Sequence, residues 1–172
     1  MPFHVIEPEV PGGLGKKTII DHSVTPPRID HLHYQFDSWA GDDLVKSHPV
    51  FLCTDRVAAG LHDAHLSGYQ LADAEVTRSS QFKELNPARV LPLFRWLKII
   101  GTPERDDFGL RDNKLVVSDR AMSYLRQFSL EHAKVRTVSE FPWDPEKEME
   151  EVYEEARRVA EALKKQRDRQ RG

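Results

Sequence analysis

The chain has 172 residues, of which 39% are hydrophobic and 31% are charged, and its formal net charge is −3. This composition is ordinary for a globular protein and excludes a general attraction to nucleic acid or to an anionic membrane. No apolar run is long enough to span a bilayer and no basic leader precedes one, so we expect a cytoplasmic protein. The single cysteine, Cys53, lies in an apolar run and is predicted to be a small buried hydrophobe.

The N-terminal segment 1–48 is rich in proline and glycine, and only short strand-like pieces such as Thr18-Ile19-Ile20 interrupt the turn-forming residues. Proline and glycine clusters of this kind mark turns and loops. We therefore predict an extended arm over residues 1–48 that packs across the body, within one domain covering residues 1–172.

Aspartate and histidine residues lie close together near the end of this arm. Asp30, His31 and His33 are residue types that bind borderline metal ions, and the two histidines would point the same way in an extended strand. A metal-dependent hydrolase built on these three residues is one functional alternative. The competing interpretation is that backbone groups and water satisfy the imidazoles.

An acidic and aromatic segment follows at residues 34–43. Exposed aromatic side chains anchor many protein interfaces, and a charged rim helps to select the partner. If it is exposed, this segment forms a binding surface for a basic protein such as a nuclease; the alternative is that the aromatic side chains pack in the core. The six candidate residues are Tyr34, Phe36, Asp37, Trp39, Asp42 and Asp43.

The most informative feature is a short unit that occurs twice in the chain, with no gap needed to align the two copies. Residues 51–56 read Phe-Leu-Cys-Thr-Asp-Arg, and residues 115–120 read Leu-Val-Val-Ser-Asp-Arg. Identical leucines then follow in register, at Leu61 and Leu125 and at Leu66 and Leu130. Self-similarity of this kind is evidence about architecture before it is evidence about function.

Each copy predicts a strand, a capped helix and a second strand. The three apolar residues indicate a buried strand, and the hydroxyl of Thr54 or Ser118 stands where a helix needs its N-cap. Asp55 and Asp119 fall in the first helical turn, where the helix dipole favours negative charge. We therefore interpret the two Ser/Thr-Asp-Arg triplets as helix starts in units 49–80 and 114–138, rather than as a paired ligand site.

The segment between the copies, residues 81–113, contains the strongest strand signal in the chain. Leu91–Ile100 has apolar residues on both alternating faces, which is typical of a central strand buried on two sides. Pro92 lies at its start, where a missing backbone donor matters least.

A long helix is predicted over residues 144–170, with Asp144 as N-cap and Pro145 in the first position. Its first half is acidic and its second half basic, which complements the helix dipole. A narrow apolar stripe suits docking on the body or pairing with a second copy in a homodimer, and Phe141 and Trp143 precede the helix. The stripe consists of Met149, Val152, Ala156, Val159 and Leu163.

Together the elements predict an α+β fold with two related strand–helix–strand halves, a shared mixed or antiparallel sheet and a long C-terminal helix. No spacing typical of a phosphate loop or a nucleophile elbow is present. We therefore expect a protein without catalytic residues or a cofactor.

Several segments carry a resemblance to a known group of proteins: Trp39–Leu44, Ser47-His48-Pro49, Phe94–Lys98, Asp106–Gly109 and both copies of the repeat. Over residues 36–138 the chain resembles uncharacterised bacterial proteins related to the immunity-type proteins found beside polymorphic toxins. The resemblance implies a small α+β protein that binds a partner toxin and occludes its active site, without catalytic residues. The paired cysteine-glycine motifs of some related proteins are missing here, so no zinc ribbon is expected.

Overall fold

The computed structural model describes residues 2–140 and 145–171, and its contacts divide the chain into two units, Met1–Glu140 and Phe141–Gly172. The predicted α+β class is confirmed, since the first unit combines helices with strands that pair mainly antiparallel. The strands are β1 (Phe3–Glu7), β2 (Gly12–Leu14), β3 (Ile19–Asp21), β4 (Arg28–His31), β5 (His33–Phe36), β6 (Leu44–Ser47), β7 (Val50–Thr54), β8 (Tyr69–Ala72), β9 (Glu75–Arg78), β10 (Phe94–Ile99), β11 (Phe108–Arg111), β12 (Lys114–Ser118) and β13 (Lys134–Thr137). The helices are α1 (Asp55–Leu61), α2 (Ser80–Leu85), α3 (Asp119–Leu125) and α4 (Pro145–Arg171), and a 3-10 turn spans Val138–Glu140.

The repeat is reproduced by the secondary structure. A hairpin of β6 and β7, helix α1 and strand β8 form one copy, and β11, β12, α3 and β13 form the other. Each hairpin strand and each helix of the second copy is shifted from its counterpart in the first copy by the same number of residues as the repeated sequence. The similarity therefore extends upstream of the segment recognised in the sequence.

The two halves have a four-stranded antiparallel sheet each, rather than one sheet in common. The strand orders are β6-β7-β10-β8 and β11-β12-β1-β13, so β10 and β1 hold equivalent central places. Trp96 of β10 lies opposite Leu52, and Val5 of β1 lies opposite Val116, the residue that corresponds to Leu52 in the repeat. We call the β6-β7-β10-β8 sheet with α1 the first half, and the β11-β12-β1-β13 sheet with α3 the second half.

The prediction of an extended N-terminal arm is therefore wrong for β1. This strand pairs with β12 on one side and with β13 on the other, although it precedes the whole first half in the chain. Four further strands, β2 to β5, lie between it and β6. The prolines of this segment lie outside its short strands, and Gly12 and Gly13 are part of β2, so the abundance of these residues is no evidence against strands.

The main core is symmetric between the halves. Its fourteen buried side chains fall into seven equivalent pairs, in which Cys53 takes the same place as Val117. Burial also raises the pKa of the Cys53 thiol to about 12, which confirms a small hydrophobe rather than a reactive group. The pairs are Ile6/Leu97, Leu44/Phe108, Phe51/Leu115, Cys53/Val117, Val57/Ala121, Ala58/Met122 and Leu61/Leu125.

A second core lies on the opposite face of the first half's sheet. There the sheet of β2, β5 and β9, together with α2, covers side chains of β6, β7 and β10. Strand β10 sends Leu97 into the main core and Phe94 into this second one, so the predicted burial of a central strand on two sides is confirmed. The strand begins at Phe94, and Pro92 lies before it.

Helix α4 forms the second unit and begins at Pro145, as predicted. The proposed cap Asp144 and the aromatic residues Phe141 and Trp143 lie outside the described residues. Along the described part of the helix, the large apolar side chains are each 55–60% exposed: Met149, Val152, Tyr153, Val159 and Leu163. No helix among residues 2–140 and 145–171 is both long and apolar enough to cross a membrane.

Candidate functional site

The two Ser/Thr-Asp-Arg triplets start helices, but their hydroxyls do not act identically. Ser118 Oγ accepts a hydrogen bond from the Ala121 N–H at 3.1 Å, which confirms the predicted N-cap. Thr54 makes no side-chain cap bond, and its hydroxyl instead donates to Asp43 Oδ1 at 2.7 Å. Thr54 thus occupies the predicted N-cap position of α1, but the predicted side-chain cap bond is absent.

Asp43 ties the first half to the second. Besides the Thr54 hydroxyl, its carboxylate accepts the Ser129 backbone N–H at 2.8 Å, and Ser129 lies in the loop after α3. Arg56 forms a bidentate ion pair with this carboxylate, in which Nε donates to Oδ1 at 2.7 Å and Nη2 donates to Oδ2. The Asp43 side chain is only 3% exposed, whereas that of Arg56 is 64% exposed.

Asp107, the equivalent of Asp43 in the second half, makes the reciprocal connection. Its carboxylate accepts the Ser118 hydroxyl of its own half and the Ser67 backbone N–H, at 2.9 Å, from the loop after α1. Arg120 does not follow Arg56, because it donates to the carbonyl of His65 instead. Each half therefore holds the loop of the other through a buried carboxylate, which is an architectural role.

The hydrogen bonds control the ionisation of Asp43. Burial by itself would raise the pKa of this carboxyl, but the bonds from Arg56, Thr54 and Ser129 outweigh burial and lower the pKa below its usual 3.8. Asp43 is thus a stably charged structural group rather than a proton donor or acceptor at neutral pH.

The predicted acidic and aromatic surface is not formed. Tyr34 and Phe36 are fully buried, because alternation along β5 turns both into the second core. Asp42 and Asp43 are buried as well, at 0% and 2% exposure. These four residues are therefore corrected to interior positions, and the reason for expecting a basic partner is lost with them.

The other two residues of that set lie nearer to solvent. Asp37 is exposed and Trp39 is half-buried. The indole N–H of Trp39 donates to the Asp42 carbonyl at 2.9 Å, and Arg89 lies over its ring at 4.9 Å. Trp39 thus packs under the loop that carries Asp42.

The three predicted metal ligands are not brought together among the described residues. Asp30 pairs with Arg28 at 2.7 Å. His31 is exposed, and its Nε2 lies 2.9 Å from Glu75 Oε2. His33 is buried, and its Nε2 lies 2.7 Å from the Thr77 hydroxyl oxygen. Each of the three side chains thus has a different partner, and the two imidazoles contact two different positions of β9 rather than each other or Asp30.

A different group of potential metal ligands does form, and no spacing pattern in the chain indicates it. Glu9, Asp42 and His132 each offer one ligand atom, and these three atoms lie within 4.8 Å of one another. We call these three residues the Asp42 cluster. The hydrogen bond from His132 to Asp42 raises the pKa of the imidazole, against a smaller opposing effect of burial, and the negative charges of Asp42 and Glu9 raise it further.

An open groove with a mixed polar and apolar lining lies on the surface beside strand β9. It is lined by residues 74 and 76–78 on one side and by residues 90–94 on the other. Val90 and Leu93 are 82% and 65% exposed. We call this feature the β9 groove.

Strand β9 is at the edge of its sheet, in the order β2-β5-β9, so one side of its backbone has no strand partner among the described residues. An unpaired edge beside a groove that exposes apolar side chains is an arrangement that can accept an extended segment of another protein.

Comparison with known proteins gives no relative: no family, no curated protein and no solved structure matches the chain.

Proposed function

We propose that the chain is a non-catalytic protein-binding module, which neutralises a cognate bacterial toxin by occluding its active site. The observation that carries this proposal is the β9 groove, where an edge strand and two strongly exposed apolar side chains lie together. Exposed apolar side chains grouped in this way are typical of interaction sites, whereas isolated ones are common on any surface.

The groove favours a partner segment in extended conformation. Such a segment can pair with the open backbone edge of β9 and place alternate side chains on Val90 and Leu93. The charged residue along the lining, Arg78, lies over the ring of Phe82 at 6.0 Å and borders the groove at one end. The partner segment that fits this lining is an extended one that places apolar side chains on Val90 and Leu93 and carries no basic residue opposite Arg78.

Replacing Val90 and Leu93 together with aspartate is expected to weaken binding of the toxin at least thirtyfold, since buried apolar anchors contribute about 2 kcal/mol or more. The partner to test is the product of the neighbouring gene, measured by co-purification and by calorimetry. The matched control is Ile19→Asp, because Ile19 is 57% exposed but lies on β3, away from the groove.

Binding that survives in the groove double variant would refute the groove as the interface. A wild-type chain that does not bind the neighbouring product would refute the toxin-neutralising function itself.

A homodimer through α4 is the second candidate, and the exposed apolar stripe of this 27-residue helix favours it. In an antiparallel pair, the acidic first half of one α4 would lie beside the basic second half of the other, where opposite charges attract.

Changing Val159 and Leu163 to glutamate is expected to convert a dimer into a monomer in light scattering, because charge would replace the apolar contact. Glu161→Gln, which lies midway between these positions and so on the opposite helix face, should leave the mass unchanged. A wild-type mass equal to that of one chain would exclude this candidate.

A further inference from the structure

We propose that the Asp42 cluster is a binding site for one divalent cation of the zinc and manganese class. The cluster lies in the Met1–Glu140 unit and joins three distant parts of the chain. Glu9 follows β1, Asp42 precedes β6, and His132 lies in the loop between α3 and β13.

The backbone around the cluster is held in place independently of any ion. The Lys46 N–H donates to the Glu9 carbonyl at 2.9 Å, which fixes Glu9 beside β6. The His132 N–H donates to Asp42 Oδ2 at 2.9 Å, and the His132 ring nitrogen Nδ1 lies 3.0 Å from Asp42 Oδ1. The three ligand groups are thus positioned before an ion arrives, which is what a metal site requires.

One oxygen of the cluster is buried without a partner. Glu9 Oε1 accepts the Ala40 N–H at 2.9 Å, but Glu9 Oε2 has no hydrogen-bond partner and is closed to solvent. It is the one such side-chain atom among the described residues. Because an unsatisfied buried carboxylate oxygen is costly, and because the Glu9 carboxylate offers an oxygen within 4.8 Å of ligand atoms of Asp42 and His132, a cation is a fitting partner for this carboxylate.

The architectural repeat does not need this cluster. The position equivalent to Asp42 in the second half is Asp106, whose carboxylate accepts the Thr102 N–H at 2.8 Å within its own loop. The position equivalent to His132 is Gly68, which has no ligand atom. Asp107 nevertheless binds the loop after α1, just as Asp43 binds the loop after α3. The connection between the halves therefore forms without an Asp42 cluster, and the ligand groups of this cluster are an addition to one half.

The ligand set selects the class of ion. Two carboxylate oxygens and one imidazole nitrogen are ligands that Zn²⁺ and Mn²⁺ accept, whereas Ca²⁺ takes oxygen ligands. The side chain of Asp42 is 0% exposed and that of His132 is 47% exposed, so the site is closed on one side and open on the other. Three protein ligands with an open side leave a coordination position for water or for a group of a partner.

The test is calorimetric titration of the full, untagged chain with ZnCl₂ after removal of metals by EDTA. We expect one Zn²⁺ per chain, and at least a tenfold loss of affinity in both Glu9→Gln and His132→Ala. Glu9→Gln keeps the shape of the side chain and its bond to Ala40, so its fold should survive. His22→Ala is the control, because His22 is exposed and lies outside the cluster.

A second readout separates a metal site from a purely structural cluster. Saturating Zn²⁺ should raise the melting temperature of the wild-type chain and of His22→Ala, but not that of Glu9→Gln. Absence of stoichiometric binding by the wild type, or binding by Glu9→Gln and His132→Ala as tight as in the wild type, would overturn the proposal. These outcomes are independent of toxin binding, which is tested at the β9 groove.

Discussion

Replacing Asp43 with alanine should lower the free energy of unfolding by about 2–6 kcal/mol. Its carboxylate accepts the hydroxyl of Thr54, which is buried, and the backbone N–H of Ser129 from the opposite half. Removing it leaves both donors without a partner, at a cost of about 1–3 kcal/mol each. Urea denaturation of the wild type and the variant measures this loss.

Arg56→Ala is the matched control for Asp43→Ala. Because the Arg56 side chain is 64% exposed, solvent screens its ion pair, and we expect a loss below about 1 kcal/mol. If Arg56→Ala destabilised the chain as much as Asp43→Ala, the ion pair rather than the connection between halves would be the main contribution.

Asp43 also makes the free energy of unfolding depend on pH. The pKa of Asp43 is lower in the folded chain than its ordinary 3.8, so its stabilising effect is complete above that value and is lost as the pH falls through the lowered pKa. The difference in unfolding free energy between wild type and Asp43→Asn should therefore shrink below pH of about 4. A difference that grew on acidification would contradict the assigned direction.

The repeat is predictable from sequence because it combines two independent local patterns. An apolar triplet predicts a buried strand, and a hydroxyl followed by an acid predicts a helix start, so both β7 with α1 and β12 with α3 follow from their own residues. Helix α4 is predictable for the same reason, since periodicity and charge order agree.

The place of β1 could not be predicted from local pattern. Phe3–Glu7 contains three apolar residues, but nothing near it in the chain shows that its neighbours are β12 and β13, which come after the whole first half. The flanking prolines favour an arm when they are considered alone. Long-range strand pairing is the information that single-sequence patterns lack.

The candidate site was missed for a related reason. Asp42 and Asp43 are adjacent in an aromatic, proline-rich setting, which suggests an exposed acidic surface. In the fold both turn inward, because donors from the loop after α3 meet them: Ser129 for Asp43 and His132 for Asp42. The two carboxylates can be charged and buried because residues of the other half donate hydrogen bonds to them. These residues are distant in the sequence, so the neighbours of Asp42 and Asp43 in the chain do not reveal them.

The central claim is that β1 completes the second half as β10 completes the first. Ile6 and Leu97 are its most direct probes, because they hold equivalent places in the two central strands and both lie in the main core, at 0% and 1% exposure. Ile6→Ala and Leu97→Ala should each reduce the free energy of unfolding by about 2–5 kcal/mol, the usual range for truncating a buried aliphatic side chain.

Ile19→Ala, at an exposed position of β3, serves as the control and should change the stability by no more than about 0.5 kcal/mol. The deciding measurement is urea denaturation of these three variants beside the wild type. We expect large and similar losses for Ile6→Ala and Leu97→Ala. A loss for Ile6→Ala as small as that of the control, with Leu97→Ala strongly destabilised, would show that the N-terminal segment is a peripheral arm.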